Sequence, residues 1–504
     1  MQENILSVHS EIGELKRLLV HSPDKGLGKV IPSKAQDWLF EDIVHLKSIR
    51  ENEYDYYTKL LLYFLDPEKM KPGMHFIDDP KNDRAFYKPG HPHFHASEKV
   101  LEIEWLLASI LENADIKNQL IAAVAAIEGC SYQLQEDLKK YTPAKLASTF
   151  LSGVDIQNEL LFPPIPNFIF TRDIGIVIKD HLVLNKPAKL ARKREALFAK
   201  YLFHYHPLFK KSSSFIIELS QKDPIALLNE KENEEKVTLE GGDIMMISPQ
   251  HVIIGVSERT SMSAAIQLTE ILFSKALVDK ISIVKIPKKR DYMHIDTIFT
   301  QVKKDTWVIL GNFSKEGLQD KQNNQVSQFF KSTQKESVTI WKFERAKQNN
   351  QVSQFFKSTQ KESVTIWKFE RAKQNSPTII NDLEQLLDEI SKEDFGCKNG
   401  AQFIYSGNNE FPYNAREQWT DSCNLLALKE GVVLGYDRND KTVEAFKNKG
   451  FEVVHVKELL IDFEKGNKSP STIQNTIILM PSAELSRARG GFHCMSMPIE
   501  RTAI

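Results

Sequence analysis

Ser486-Arg-Ala-Arg-Gly-Gly-Phe-His-Cys494, running on into Met495-Ser-Met-Pro498, is the stretch that decides how this chain reads. Its cysteine follows a histidine, with two arginines and two glycines just upstream. Cationic neighbours lower a thiol pKa, and the thiolate is the reactive species. Cys494 is therefore a candidate nucleophile, against the plainer reading of a buried structural thiol near a chain end. Which reading holds depends on the acidic and histidine-bearing segments that precede it.

Composition narrows the field. The chain has 504 residues, 26% of them charged and 41% hydrophobic, with a formal net charge of -1. That is ordinary for a globular protein with a large core, and it carries no basic footprint for nucleic acid or an anionic membrane. No apolar run approaches a membrane span, and the start, Met1-Gln-Glu-Asn-Ile-Leu, lacks the pattern of a secretory signal. Cys130, Cys397, Cys423 and Cys494 are widely separated, which suits free thiols in a reducing cytoplasm better than a disulfide or zinc framework.

Periodicity divides the chain. Residues 15–21 read as a strand, residues 38–65 and 99–127 as helices, and roughly 45–150 as a mainly helical block. Beyond Pro166, strand-like runs at 174–178, 181–184, 244–247, 252–254, 306–310, 364–367, 431–434 and 451–454 alternate with helical patterns. The helical stretches are 192–202, 262–273, 379–390, 423–428 and 442–448. This is an α/β layout without a glycine-rich phosphate loop after a first strand. The charged run 230–236 reads as a solvated loop. Residues 321–346 recur unchanged as 347–372. Two identical copies cannot build a solenoid, so the repeat reads as a duplication with one copy carried as a surface insertion.

Three acidic segments carry candidate chemistry. Pro166-Asn-Phe-Ile-Phe-Thr-Arg-Asp173 precedes a strand, and Arg172 could simply pair with Asp173 on a surface. In Leu239-Glu-Gly-Gly-Asp243 the two glycines permit a tight turn or close approach to a ligand. Tyr292-Met-His-Ile-Asp-Thr297, read as a strand, puts His294 and Asp296 on one face. Two carboxylates can grip a guanidinium through charge-assisted hydrogen bonds while a thiolate attacks its central carbon and histidine moves protons. Arg192 and Arg259 could hold a substrate carboxylate. The same residue types also permit a cysteine hydrolase of amides or esters. His91, His93 and His95 alternate at a spacing that could serve a metal, although Pro and Gly nearby suggest a loop. Cys423 reads as a packed thiol.

These segments closely resemble the motifs of arginine deiminases, within the guanidino-modifying pentein superfamily. The matching stretches, in family order, are Pro166 to Asp173, Glu240-Gly-Gly-Asp243, Gly255-Val-Ser-Glu-Arg-Thr260, Met293-His-Ile-Asp-Thr297, Arg416-Glu-Gln-Trp-Thr-Asp421 with Asn424, and Arg489 to Pro498. His21-Ser-Pro23 and Leu39-Phe-Glu-Asp42 resemble the amino-terminal motifs. The resemblance implies a single catalytic domain over residues 1–504: a five-bladed pseudo-symmetric α/β propeller with a helical insertion at 45–150. It also implies Cys494 as nucleophile, His294 as acid/base with Glu240 as its partner, and Asp173 and Asp296 on the guanidinium. Arg192 and Arg259 would clamp the substrate's α-carboxylate, Asn167 and Arg489 would line the pocket, and Asp243 would be structural.

The implied reaction hydrolyses free L-arginine to L-citrulline and ammonia through a covalent S-alkylthiouronium, with no metal or cofactor. Partners would be arginine and water, with no nucleic acid and no membrane; a homo-oligomer stays open. The competing readings are dimethylarginine hydrolase, agmatine deiminase or amidinotransferase, and a non-catalytic protein that retained the fold.

Overall fold

The computed structural model describes residues 4–35, 37, 38, 40–70, 77–79, 81–220, 236–289, 291–314, 338–344, 378–380 and 382–504. Residue 39, the charged run over 230–235, the strand candidate at 364–367 and the whole second repeat copy lie outside the described residues.

One local pattern recurs along the chain: a short antiparallel hairpin, a helix, and a strand returning parallel to the hairpin. Gly175–Ile178 pairs with His181–Leu184, helix Lys193–Tyr205 follows, and Ile216–Glu218 runs parallel to the second hairpin strand. Ile244–Ser248 and His251–Val256 repeat it with helix Met262–Ser274 and parallel strand Lys280–Lys285. Phe299–Lys303 and Thr306–Ile309 do so with helix Leu383–Glu393 and Gln402–Tyr405. Leu426–Lys429 and Val432–Tyr436 do so with helix Asp440–Asn448 and the parallel strands Thr476–Met480 and Glu452–His455. The remaining sheet joins both ends of the chain, with Leu15–Val20 between antiparallel Met497–Arg501 and parallel Val100–Glu102. That pairing brings the Cys494 segment back to the start of the chain.

The expected five-bladed propeller is not formed. Among the described residues the strands make five separate open sheets of three to five strands, and none curls or closes into a barrel or propeller. The sheets instead meet through side chains. One apolar cluster joins Leu19, Val177 and Ile254, a second joins Leu18, Leu434 and Met495, and a third joins Met245, Trp307 and Val433. Burying each such side chain contributes roughly 2 kcal/mol, so packing can hold sheets together that share no ladder.

Local readings also shift. Val100–Glu102, within the expected helix over 99–127, is a strand because it adds to the edge of Leu15–Val20. Residues 423–428 do not form a helix. Leu426–Lys429 is a strand, since a short apolar run is ambiguous until a partner strand captures it. The first repeat copy supplies Thr339–Glu344, which pairs antiparallel with Lys280–Lys285 and carries Thr378–Ile380 at the sheet edge. No helix among the described residues is long and apolar enough to cross a membrane.

Candidate active site

The carboxylate and histidine segments meet where the hairpins begin, in short turns rather than in strands. Asp173 sits in the 3-10 turn Thr171–Ile174, and the backbone N–H of Arg172 donates to the carbonyl of Cys494 at 3.0 Å. The Arg172 side chain turns away from Asp173, is buried, and bonds Glu11. Glu240 precedes the turn Gly241–Asp243. A Cβ at Gly241 would lie 2.0 Å from the Arg172 carbonyl, and one at Gly242 would lie 2.5 Å from the His294 ring. Both glycines are thus required by close approach.

The Gly255 to Thr260 motif braces this turn. Thr260 Oγ1 accepts the Glu240 N–H at 3.2 Å, and Ser257 Oγ donates to Asp243 at 2.6 Å. Asp243 in turn accepts the backbone N–H of Ile295 at 3.0 Å. Asp243 is therefore a structural tie between the two acidic segments. The segment expected as a strand is the 3-10 turn Ile295–Thr297, which lets His294 and Asp296 serve different neighbours.

His294 Nε2 lies 3.0 Å from Glu240 Oε2, and its Nδ1 lies 4.0 Å from Asp173 Oδ1. Burial alone would push the imidazole down, but Asp173, Glu240 and Asp243 outweigh it and raise it to about 10. Burial likewise opposes ionisation of Glu240, yet Arg192, His294 and Arg259 hold that carboxyl at about 2. The site therefore contains an imidazolium and a carboxylate across neutral pH.

Asp296 is fully buried directly behind the cysteine. Its Oδ2 lies 2.9 Å from His493 Nδ1 and 3.4 Å from Cys494 Sγ. His493 Nε2 reaches Glu11 at 3.2 Å, so Arg172, Glu11, His493 and Asp296 form one buried hydrogen-bonded chain. Asn424 fastens the cysteine backbone, accepting the Cys494 N–H at 2.9 Å and donating to the Asp296 carbonyl at 3.3 Å. Gly490 and Gly491 pass so close to Phe170 and Asn424 that added Cβ atoms would lie 2.2 and 2.4 Å away.

The sequence suggested a basic surrounding for Cys494, and the structure reverses that. Burial first, then Asp296, Asp173 and Asp421, push the thiol well above its ordinary value. Arg487 points outward to Asp42, and the Arg489 guanidinium lies 3.7 Å from the Trp419 ring centroid. Neighbours in sequence are not neighbours in space here.

Of the nine residues singled out from sequence, Asn167, Asp173, Arg192, Glu240, Arg259, His294, Arg489 and Cys494 line one cavity, with Asp296 beneath it. Asn167 donates to the Trp38 carbonyl at 2.8 Å. Arg259 Nη1 stands 4.0 Å from Glu240 Oε1. The three guanidinium nitrogens of Arg489, Asp173 Oδ1 and Asp296 Oδ1 are buried without a hydrogen-bond partner among the described residues. Such groups are costly unless something polar meets them.

Arg192 lines the cavity already engaged by carboxylates. Its Nη1 donates to Asp173 Oδ2 at 2.9 Å and to Glu240 Oε2 at 3.3 Å, while Nε donates to Glu195 at 2.7 Å. Asp173, Glu240 and His294 lie close enough together to seat a metal ion. In this structure the Arg192 guanidinium and the His294 ring share the two carboxylates.

Three contributors were missed in the sequence. The Arg192 and Glu195 pair at i,i+3 was open to detection. Glu11 gave no signal, being far along the chain from His493. Asp421, quoted within a motif without a role, lines the cavity, and burial raises it to about 7. His91 and His93 do not form a metal site among the described residues: His91 Nδ1 accepts the His93 N–H, and His95 is buried. Cys423 is fully buried, and burial pushes its thiol up.

The profile of the family described as Arginine deiminase matches residues 132–501. An arginine deiminase of Borreliella afzelii (strain PKo) is 27% identical over 509 residues, covering 99% of each chain. One from Listeria innocua serovar 6a is 28% identical over 506 residues, again covering 99% of each. Among solved structures, SxtG, an amidinotransferase from Microseira wollei, aligns with a TM-score of 0.46 at 11% identity, covering 99% of this chain and 98% of that one. The family match spans most of the chain and includes every segment that converges on the cavity from Pro166 onward, and so the chain belongs to the arginine deiminase family, a guanidino-group-modifying hydrolase.

Proposed function

We propose that the protein hydrolyses free L-arginine to L-citrulline and ammonia, with Cys494 as the nucleophile. The observation that carries this reading is the sharing of one cavity by Cys494, the His294–Glu240 pair and Asp173, with Asp296 against the thiol. In this reading Asp173 and Asp296 orient the substrate guanidinium, and their unpartnered oxygens accept its N–H groups. The carboxylates that keep the thiol protonated are offset when a cation enters between them, so the substrate itself favours the thiolate.

The thiol loses its proton to solvent as the cationic substrate binds, and attack by the Sγ thiolate on the central guanidinium carbon makes a neutral tetrahedral adduct. The His294 imidazolium, oriented by Glu240, gives its proton to the departing nitrogen, and the C–N bond breaks to release ammonia. The S-alkylthiouronium that remains is attacked by water, whose proton goes to the now neutral His294. The C–S bond then breaks, leaving citrulline and the cysteine. Arg259, Asn167 and Arg489 are proposed to meet the amino-acid end of the substrate. The test is a comparison of ammonia and citrulline release from L-arginine, agmatine and methylated arginines. Comparable turnover of agmatine would reject free arginine as the substrate.

A further inference from the structure

A second cavity, of about 580 Å³, lies on the sheet that joins the two ends of the chain. It shares no lining residue with the catalytic cavity, and its size suits a small organic ligand. Lys16 and Arg17 from strand Leu15–Val20, Lys99 just before strand Val100–Glu102, and Arg501 from strand Met497–Arg501 all line it. Among the described residues, Glu500 is the only acid on its wall.

These cations are incompletely neutralised by their neighbours. Arg17 spends Nε on the Glu98 carbonyl at 2.8 Å, while its Nη1 stays 3.4 Å from Glu500. Lys99 Nζ lies 3.6 Å from Asp66, beyond a good hydrogen bond. Lys16 pairs with Glu14 at 2.8 Å, but both side chains are exposed, where an ion pair holds weakly. Arg501 is buried and donates Nη1 to the Gly13 carbonyl, leaving Nε and Nη2 without a partner among the described residues. Burial lowers Arg501 to about 10, so it still carries its charge at neutral pH. A concave wall of one sign, backed by the apolar Phe64 and Leu65, concentrates the field on whatever enters.

We propose that this cavity binds a phosphate monoester with an apolar body. The charges come from three separate segments, so one flat carboxylate cannot meet them all. A phosphoryl group offers three terminal oxygens and about two negative charges, enough for the Arg17 fork together with the Lys16 and Lys99 ammonium groups. Phe64 and Leu65 give the organic part of the ester an apolar surface to cover. The ligand would tie the first strand to the terminal strand that continues from the Cys494 segment, and it would stabilise the folded chain by mass action. It would leave the catalytic cavity open, because the two sites share no wall.

The experiment uses phenyl phosphate, inorganic phosphate and benzoate as probes on the full chain. Binding is measured by calorimetry at constant ionic strength, with thermal melts alongside. Phenyl phosphate should bind roughly tenfold more tightly than inorganic phosphate, because its ring covers apolar surface. It should bind benzoate's site more tightly than benzoate itself, and it should raise the melting temperature. Arg17→Gln and Lys99→Gln should each weaken phenyl phosphate roughly tenfold, the scale of one lost charge-assisted contact. The Lys99 side chain is 46% exposed, so Lys99→Gln should melt like the wild type without ligand and serves if Arg17→Gln folds poorly.

Saturating L-arginine should not displace phenyl phosphate. Displacement would put the probe in the catalytic cavity and overturn the proposal. Equal affinity for phenyl phosphate and inorganic phosphate would overturn it in favour of a site for the free ion. Benzoate binding as tightly as phenyl phosphate would overturn the phosphoryl assignment. Absence of binding at millimolar phenyl phosphate, or unchanged affinity in Lys99→Gln, would overturn the site itself.

Discussion

Cys494 Sγ lies 3.4 Å from Asp296 Oδ2, the same oxygen that His493 Nδ1 approaches to 2.9 Å. A thiol in contact with a carboxylate is disfavoured from ionising, so under the proposed mechanism the incoming guanidinium would be what favours the thiolate. The arrangement gives the pocket little reason to react until a positively charged ligand arrives.

Replacing Cys494 with serine should leave the fold intact and lower citrulline formation by a thousandfold or more, on the order expected for loss of a nucleophile. Circular dichroism melts together with a citrulline assay on purified protein check this. Near-normal turnover would sink the covalent route.

Arg259 has a more open role than Arg192, lining the cavity with its Nε unpartnered. Arg259→Ala should raise KM for L-arginine roughly tenfold while leaving agmatine turnover within about twofold, on the order of one lost charge-assisted contact. The kcat/KM ratio for the two compounds is the readout. An unchanged ratio would remove Arg259 from carboxylate recognition.

His493 bridges two buried carboxylates, so His493→Ala should leave Glu11 and Asp296 undercompensated. A loss of about 2 kcal/mol in stability and a fall in kcat larger than the rise in KM are expected, because two buried carboxylates lose a hydrogen-bond partner. Urea unfolding and steady-state kinetics measure the two effects. A variant as stable and active as the wild type would show the buried hydrogen-bonded chain to be incidental.

The His294–Glu240 pair also sets how stability changes with pH. Glu240 is depressed from 4.5 to about 2, so its contribution is present above pH 4.5 and is lost as pH falls toward 2. His294 is raised from 6.5 to about 10, so its contribution is present below pH 6.5 and is lost as pH rises through 10. In Glu240→Gln the acid-side loss should shrink and the alkaline loss should begin at lower pH. Melting temperatures from pH 3 to 10 test both signs, and a profile parallel to the wild type would refute the pairing.

Deleting residues 347–372 should yield a protein that folds and turns over arginine, since the first copy already provides Thr339–Glu344 against Lys280–Lys285. The deletion keeps every motif residue that faces the cavity. Insoluble or inactive protein would show that the second copy is needed.

Sequence alone was enough to name the residues that gather at the cavity. The order of the motifs around Asp173, Glu240, His294 and Cys494, and the glycines beside them, was legible because close approach and ionisable function restrict residue type at single positions. The hairpins at 175–184 and 244–256 were legible because β-branched runs bounded by turns leave little alternative. What tertiary structure decided is how groups distant in sequence share charge. Sequence neighbours suggested an electropositive cysteine, whereas Asp296, Asp173 and Asp421 surround it in space. The carboxylates that Arg192 engages, Asp173 and Glu240, are likewise a matter of the folded chain. The strand at Leu426–Lys429, the tie from Glu11 to His493 and the openness of the five sheets follow the same rule. Hydrogen-bond partners and electrostatic fields are set by through-space distance, and that distance exists only once the chain has folded.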